Sequence, residues 1–183
     1  MRSSPRCPVG ADLPARVPIR RPDALRDLVH VGRPGGQKRL DRICAALTEA
    51  RAAGQPVSLT AFGYPPDTPV PPGVTLAPPG SDPRPALATA DALVVWSDYE
   101  GFPTIMVEAA LAGCPILAND FRTGRADFAR LIGPVAPLGQ EPDTLTRAFT
   151  RLPTGHYDLS GVRDEALWPL WQEALGLEKT VEC

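Results

Sequence analysis

A chain of 183 residues is long enough to fill one domain well and too short for two of ordinary size. Its formal charge of −2 leaves no electrostatic footprint for nucleic acid, and no apolar run approaches the length that spans a bilayer. The four cysteines (Cys7, Cys44, Cys114, Cys183) lack metal-type spacing and no continuous apolar leader is expected, so the reading is a cytoplasmic protein with Cys44 and Cys114 as small core residues.

Residues 1–27 are proline-broken and basic, with Arg2, Arg6, Arg16, Arg20 and Arg21, and are expected to form a linker or solvated tail without its own core. A weak contact with anionic lipid headgroups is the other reading of that charge. Residues 28–31 are a short apolar strand. The glycine-rich loop Gly32-Arg33-Pro34-Gly35-Gly36-Gln37-Lys38 follows directly. Leu40, Ile43, Cys44 and Leu47 then recur at helical spacing, and Gly54 ends that helix. A strand, a glycine-rich loop and a helix N-terminus make an anion site, because glycines let backbone N–H groups approach oxygens and the helix dipole favours negative charge. Arg33 and Lys38 add two cations; a tight turn with two surface cations is the plainer alternative. The loop is neither a Walker motif nor the dinucleotide fingerprint.

Residues 57–62 alternate as a strand and end at Gly63. Pro65, Pro66, Pro69, Pro71 and Pro72 then exclude a helix over 64–72 and predict an extended connection. A strand over 74–76 and a short helix over 83–90 lead to the central stretch. There, 92–96 is a valine-rich strand buried on both faces, 97–101 a polar break, and 104–112 a helix with Pro103 at its first position and Gly113 as its left-handed terminus. Residues 115–118 are another strand. Glu100 lies in the polar break. Glu108 lies in the helix's second turn, roughly 7–8 Å along the axis from Pro103. That helix is apolar nearly all round, and a carboxylate on it is costly unless partnered. Both carboxylates facing one elongated polar ligand is one reading; Glu108 capping a neighbouring loop with Glu100 solvated is the other. Spacing alone leaves both open.

Beyond Asp120, Arg122 and Arg125 read as surface cations more readily than as phosphate ligands, and 134–137 as an edge strand. Helices are predicted over 141–152 and 164–175, the latter with Trp168 and Trp171 as packing anchors. No role is assigned to His30 or His156. Short buried strands alternating with helices predict the α/β class with a doubly wound parallel sheet, whose ligands bind at the strands' carboxyl ends. The expected division is a tail over 1–27, one Rossmann-like domain over 28–177 and a short tail over 178–183.

Ala90-Asp91, Val94, Ser97, Glu100-Gly101-Phe102-Pro103, Glu108-Ala109, Ala112-Gly113, Pro115 and Asp120 together resemble the donor-binding signature of retaining GT-B glycosyltransferases of family four, the glycosyl transferases group 1. Gly32-Arg33, with Lys38 after four further residues, resembles the same family's diphosphate element. The resemblance covers residues 28–175 and implies half of a GT-B fold, the C-terminal half that binds a nucleoside-diphosphate sugar. It implies that Arg33 and Lys38 neutralise the diphosphate, that Glu100 contacts the sugar's hydroxyls and Glu108 the ribose, and that loop amides around Gly101–Thr104, including Phe102 and Pro103, meet sugar and phosphate. It implies no cofactor and no metal. Two segments depart from the family: 64–72, where relatives usually place a helix, and 121–127, where they show a glycine pair and a Pro-Glu step. No base-contacting residue is therefore assigned. Nor is an acceptor half recognised in these residues, so turnover is expected to need an acceptor domain outside them, either in a longer product or on a separate chain. The alternative is a non-catalytic nucleotide-sugar-binding or partner-binding subunit; a sugar epimerase relative ranks third.

Overall fold

Short runs of valine, leucine and alanine, too apolar for an exposed face, assemble into a six-stranded parallel sheet covered on both sides. The computed structural model describes residues 14–101, 103–121, 125–139, 141, 144–148 and 151–162. In chain order the elements are β1 (Arg16–Pro18), β2 (Asp27–Val31), α1 (Leu40–Ala52), β3 (Ser58–Phe62), β4 (Val74–Leu76), α2 (Arg84–Thr89), β5 (Ala92–Val95), α3 (Thr104–Leu111), β6 (Ile116–Ala118), α4 (Arg125–Leu131), β7 (Ala136–Pro137), α5 (Thr144–Ala148) and β8 (His156–Asp158). The large sheet runs β4-β3-β2-β5-β6-β7, with every pairing parallel. The chain thus works outward from β2 to one edge, returns to the middle at β5, and works outward to the other edge. That reversal between β2 and β5 is the switch point where open α/β sheets bind ligands.

Side-chain alternation along the strands splits the core in two. Leu28, Leu59, Val94 and Leu117 pack under Ile43, Leu47 and Ala50 of α1 and Leu145 and Ala148 of α5. Val29, Leu93, Val95 and Ile116 pack on the opposite face under Leu87 of α2, Met106, Ala109 and Ala110 of α3, and Phe128 of α4. β5 is buried along its whole length, as its sequence predicts. Residues 64–72 hold no helix, in keeping with their prolines.

The structure corrects four sequence expectations. Pro103 is the residue before α3 rather than its first, with φ −78° and ψ 81°, and no side chain caps this helix end. The helix expected over 141–152 is the shorter α5. α4 was not anticipated, because it begins inside a stretch read as loop. The basic N-terminal segment is not tail throughout: β1 pairs antiparallel with β8 (Arg16↔Asp158, Val17↔Tyr157, Pro18↔His156), and Val17 and Ile19 pack on the core. Arg20 N–H donates to Gly113 O at 2.8 Å, and its guanidinium donates to Leu87 O at 2.6 Å. Tyr157 is fully buried and its hydroxyl donates to Cys114 O at 3.0 Å. The 1–13 arm, the 164–175 helix with both tryptophans, the 178–183 tail, Cys7 and Cys183 lie outside the described residues.

Gly113 stands at φ 64°, and a Cβ there would come 2.6 Å from the Pro18 carbonyl. Gly113→Ala is expected to lower stability by about 2 kcal/mol through backbone strain and displacement of the β1 strap. Urea unfolding followed by circular dichroism measures it.

Candidate functional site

The β2–β5 ladder ends at Val29↔Leu93, while β2–β3 pairing continues to Val31↔Phe62. A crevice opens where β2 and β5 lose register, and the loops after both strands rise around it. The resulting cleft, of ≈ 280 Å³, is lined by Gly32, Arg33, Lys38, Glu100, Pro103 and Thr104, with Val31 and Ile105 beneath. A second hollow of ≈ 410 Å³ lies against Arg33 and Lys38, bounded by residues 34–37 and by Tyr99, which is 57% exposed.

Glu100 is the buried charge of the cleft, at 7% exposure. Its Oε1 accepts from Lys38 Nζ at 2.5 Å and from Ser97 Oγ at 2.5 Å. A buried carboxylate keeps its charge only with such partners. Ser97 is itself fixed by Asn119 at the end of β6. The Asn119 side chain accepts from Ser97 N–H at 2.9 Å and donates to Ser97 O at 2.9 Å. The glutamate's position therefore derives from three adjoining segments.

The two loops are also joined directly. Gln37 Nε2 donates to Tyr99 O at 2.8 Å, and Asp98 N–H donates to Gln37 O at 3.0 Å. Residues 36–38 form a single 3₁₀ turn, so α1 begins only at Leu40, after Arg39. Arg39 holds the left-handed conformation at φ 37°, uncommon outside glycine, and its guanidinium grips both oxygens of Asp41 and reaches Asp98 at 3.2 Å. Arg33, by contrast, is exposed and has no hydrogen bond or ion pair among the described residues, which leaves its charge directed at solvent and cleft.

The structure thus brings Gly32, Arg33, Lys38, Glu100, Pro103 and Thr104 to one cleft. Gly101 is exposed and does not line it; Phe102 is outside the described residues. Glu108 is half-buried on α3, one turn beyond Thr104, and does not line this cleft either. Its charge reaches toward α2: Arg84 is held above the usual arginine range by its bond to Asp82 and additionally by Glu108. Arg125 pairs with exposed Asp120 at 3.3 Å, and Asp127 with Arg130 at 3.5 Å. Among the described residues no group of three or more His, Cys, Asp or Glu could hold a metal ion.

Sequence reading missed Asn119, Gln37 and Arg39, and it left His30 without a role. His30 is 1% exposed, with Nδ1 2.9 Å from Val94 O and Nε2 2.9 Å from the Tyr64 hydroxyl. A signal was available: a polar side chain inside a strand buried on both faces requires partners. Burial holds its pKa at about 4, below the ordinary 6.5; the Lys38 charge acts the same way, against the Val94 bond and the Glu100 charge.

Comparison with known proteins gives a consistent picture. The family model described as glycosyl transferases group 1 matches residues 26–153. A GtfA/B complex superposes at TM-score 0.56 with 16% identity, covering 86% of this chain and 37% of that one. WaaG, a glycosyltransferase involved in lipopolysaccharide biosynthesis, superposes at 0.57 with 23% identity, covering 71% of this chain and 39% of that one. HepE of Anabaena, solved with UDP-glucose, superposes at 0.53 with 19% identity, covering 68% and 38%. The fold is therefore a Rossmann-like half of the GT-B type. The chain spans between 37% and 39% of the length of these structures. No curated protein matched it by sequence.

Two outcomes are expected. Asn119→Ala leaves the buried Ser97 N–H and C=O unpaired and should cost about 3 kcal/mol in urea unfolding. The folded chain keeps His30 neutral down to about pH 4, whereas the unfolded chain protonates it near 6.5. Its contribution is therefore complete above pH 6.5 and lost as pH falls toward 4, by about 3 kcal/mol in total. The exposed Asp41, Asp82 and Asp158, held below the usual carboxylate range by bonds from Arg39, Arg84 and Ser160, lose their contribution at lower pH. Unfolding midpoints measured from pH 7 to 4 should show the slope in the wild type and not in His30→Asn.

Proposed function

We propose, for a chain that belongs to the glycosyl transferases group 1 family, that the β2–β5 cleft binds a nucleoside-diphosphate sugar for retaining, metal-independent glycosyl transfer. One observation carries this reading: two cations, a buried carboxylate and an uncapped helix end from separate crossovers line a single cleft at the sheet's switch point. Arg33 and Lys38 hold the diphosphate. Loop amides around Gly101–Thr104 are assigned to assist them, with Thr104 opening α3, since helix N-termini favour anions. Pro103 shapes the turn and donates nothing. Glu100 orients the sugar's hydroxyls, and Glu108, which lies on α3 one turn beyond the cleft lining, is assigned to the ribose. The same proposal takes the chain as the donor-binding, C-terminal half of a family-four enzyme and puts its action in the cytoplasm.

Transfer breaks the bond between the anomeric carbon and the diphosphate, and the electron pair leaves with the phosphate oxygen. The acceptor's oxygen attacks from the same face and its proton passes to that oxygen. Negative charge grows on the diphosphate during this step, so fixed cations stabilise the transition state more than the bound donor. Lys38 is already committed to Glu100 and must be shared with the ligand; Arg33 has no such prior claim. The share of the neighbours' length that this chain covers supports dependence on an acceptor domain, and equally supports a second reading as a nucleotide-sugar-binding subunit without turnover. No helix among the described residues is long and apolar enough to cross a membrane. A weak headgroup contact by the basic N-terminal arm belongs to the same proposal.

The test is calorimetric titration of the full chain with UDP-, GDP- and ADP-glucose. Arg33→Ala should weaken the best binder about tenfold, as loss of a charge-assisted contact does, and change stability by less than about 0.5 kcal/mol. Lys38→Ala should weaken it and also destabilise the fold, because Glu100 then loses its cation partner. Glu108→Ala should lower affinity without affecting the fold. Affinities equal to wild type in all three variants would contradict the assigned site. Donor hydrolysis by the chain alone would remove the need for an acceptor domain.

A further inference from the structure

We infer that the buried His30–Tyr64 pair is a positioning unit that sets the height of the Gly32–Arg33 backbone at the crevice mouth, so that Arg33 and Lys38 converge on one anion. That the anion is a diphosphate rests on the function proposed above; the positioning itself does not.

His30 is the first residue of β2 beyond the last β2–β5 pair. Its ring bridges the gap that opens there. Nδ1 lies 2.9 Å from Val94 O, and a carbonyl can only accept, so Nδ1 carries the proton. The neutral ring then has Nε2 as an acceptor, and the Tyr64 hydroxyl donates to it at 2.9 Å. The two rings stack with centroids 5.8 Å apart. Tyr64 follows β3, so the pair links β5, β2 and the end of β3.

Gly32 sits directly on this pair. A Cβ at position 32 would collide with the Tyr64 hydroxyl and come 2.9 Å from His30 Nε2. Gly32 N–H donates to Phe62 O at 3.0 Å. Its carbonyl lies against Gly63, whose φ of 85° and missing side chain permit the approach. Gly32 is therefore fixed from below by the aromatic pair and from the side by β3, and Arg33 is the next residue. Neither His30 nor Tyr64 lines the cleft, so both act through the loop and not on the ligand. An apolar pair would fill the same volume with less desolvation cost, but without the two directional bonds that fix the rings' height.

The experiment uses the full chain and two variants. Tyr64→Phe keeps the ring and deletes the hydroxyl. His30→Asn keeps a donor near the Nδ1 position and deletes the Nε2 acceptor; it is read in the same way if Tyr64→Phe does not fold. Without ligand, amide exchange by NMR should show protection of Gly32 N–H reduced about tenfold, with Leu93 N–H in the sheet centre unchanged. Equal loss at both amides, or none at Gly32, overturns the inference. With UDP, GDP and ADP as probes, Tyr64→Phe should weaken the best binder about fivefold, the scale of one neutral hydrogen bond. In an Arg33→Ala background the same substitution should have no further effect, because it acts through Arg33; additive losses overturn the inference. If the wild type binds none of the three nucleotides, the donor reading falls and the exchange experiment alone decides the positioning.

Discussion

Lys38 and Glu100 meet across the gap between two crossovers, and the geometry of the cleft follows from the need to keep that carboxylate satisfied. Glu100 is nearly out of water, so it requires a cation and a hydroxyl on the oxygen it presents. Lys38 comes from the loop after β2 and Ser97 from the loop after β5. Ser97 is in turn held by Asn119 from the end of β6. Three consecutive strands of the sheet are thereby made to end at fixed heights relative to one another. Gln37 and Arg39 add bonds of the same kind across the same gap. The left-handed backbone at Arg39 is tolerated because the side chain it carries is gripped by Asp41 in the first turn of α1 and by Asp98 in the loop after β5.

The two cations of the cleft have different standing as a result. Lys38 is part of the architecture before any ligand arrives, whereas Arg33 is not. A loop pair already braced loses little freedom on binding, which is the advantage of preorganisation. In the proposed reading, an anion in the cleft would compete with Glu100 for Lys38, coupling the two through one ammonium group. That coupling makes the arrangement sensitive to the position of Arg33, the cation with no competing partner among the described residues.

Much of this was legible in the sequence, and what was not had a physical reason. β5 and β6 announce themselves as apolar runs because strands buried on both faces carry few polar residues, β2 does so less cleanly because His30 interrupts it, and β3 shows by its alternation. α1 shows helical spacing, α3 is a run of strong helix formers after Pro103, and they are followed by Gly54 and Gly113, both with positive φ. The glycine-rich loop and Glu100 were readable as polar breaks at strand ends. β1 was not, since it lies in a proline-broken basic stretch and its partner β8 is about 140 residues away in sequence, and α4 was not, since its charged residues read as loop. The partners of Asn119 and His30 were unreadable for a related reason: each is defined by what it bonds to in space, and those partners are 22, 34 and 64 residues distant.

The prolines that make 64–72 unable to coil have a further effect at the periphery. β4, an outer strand of three residues, follows Pro71-Pro72-Gly73, and β7, at the opposite border, ends on Pro137. Both borders are brief, β4 entered from a pair of prolines and β7 ending on a residue that lacks an N–H, which makes each a poor template for another chain's backbone. The six-stranded sheet therefore resists growth by lateral addition, and a protein associating with it has to do so through side-chain surfaces.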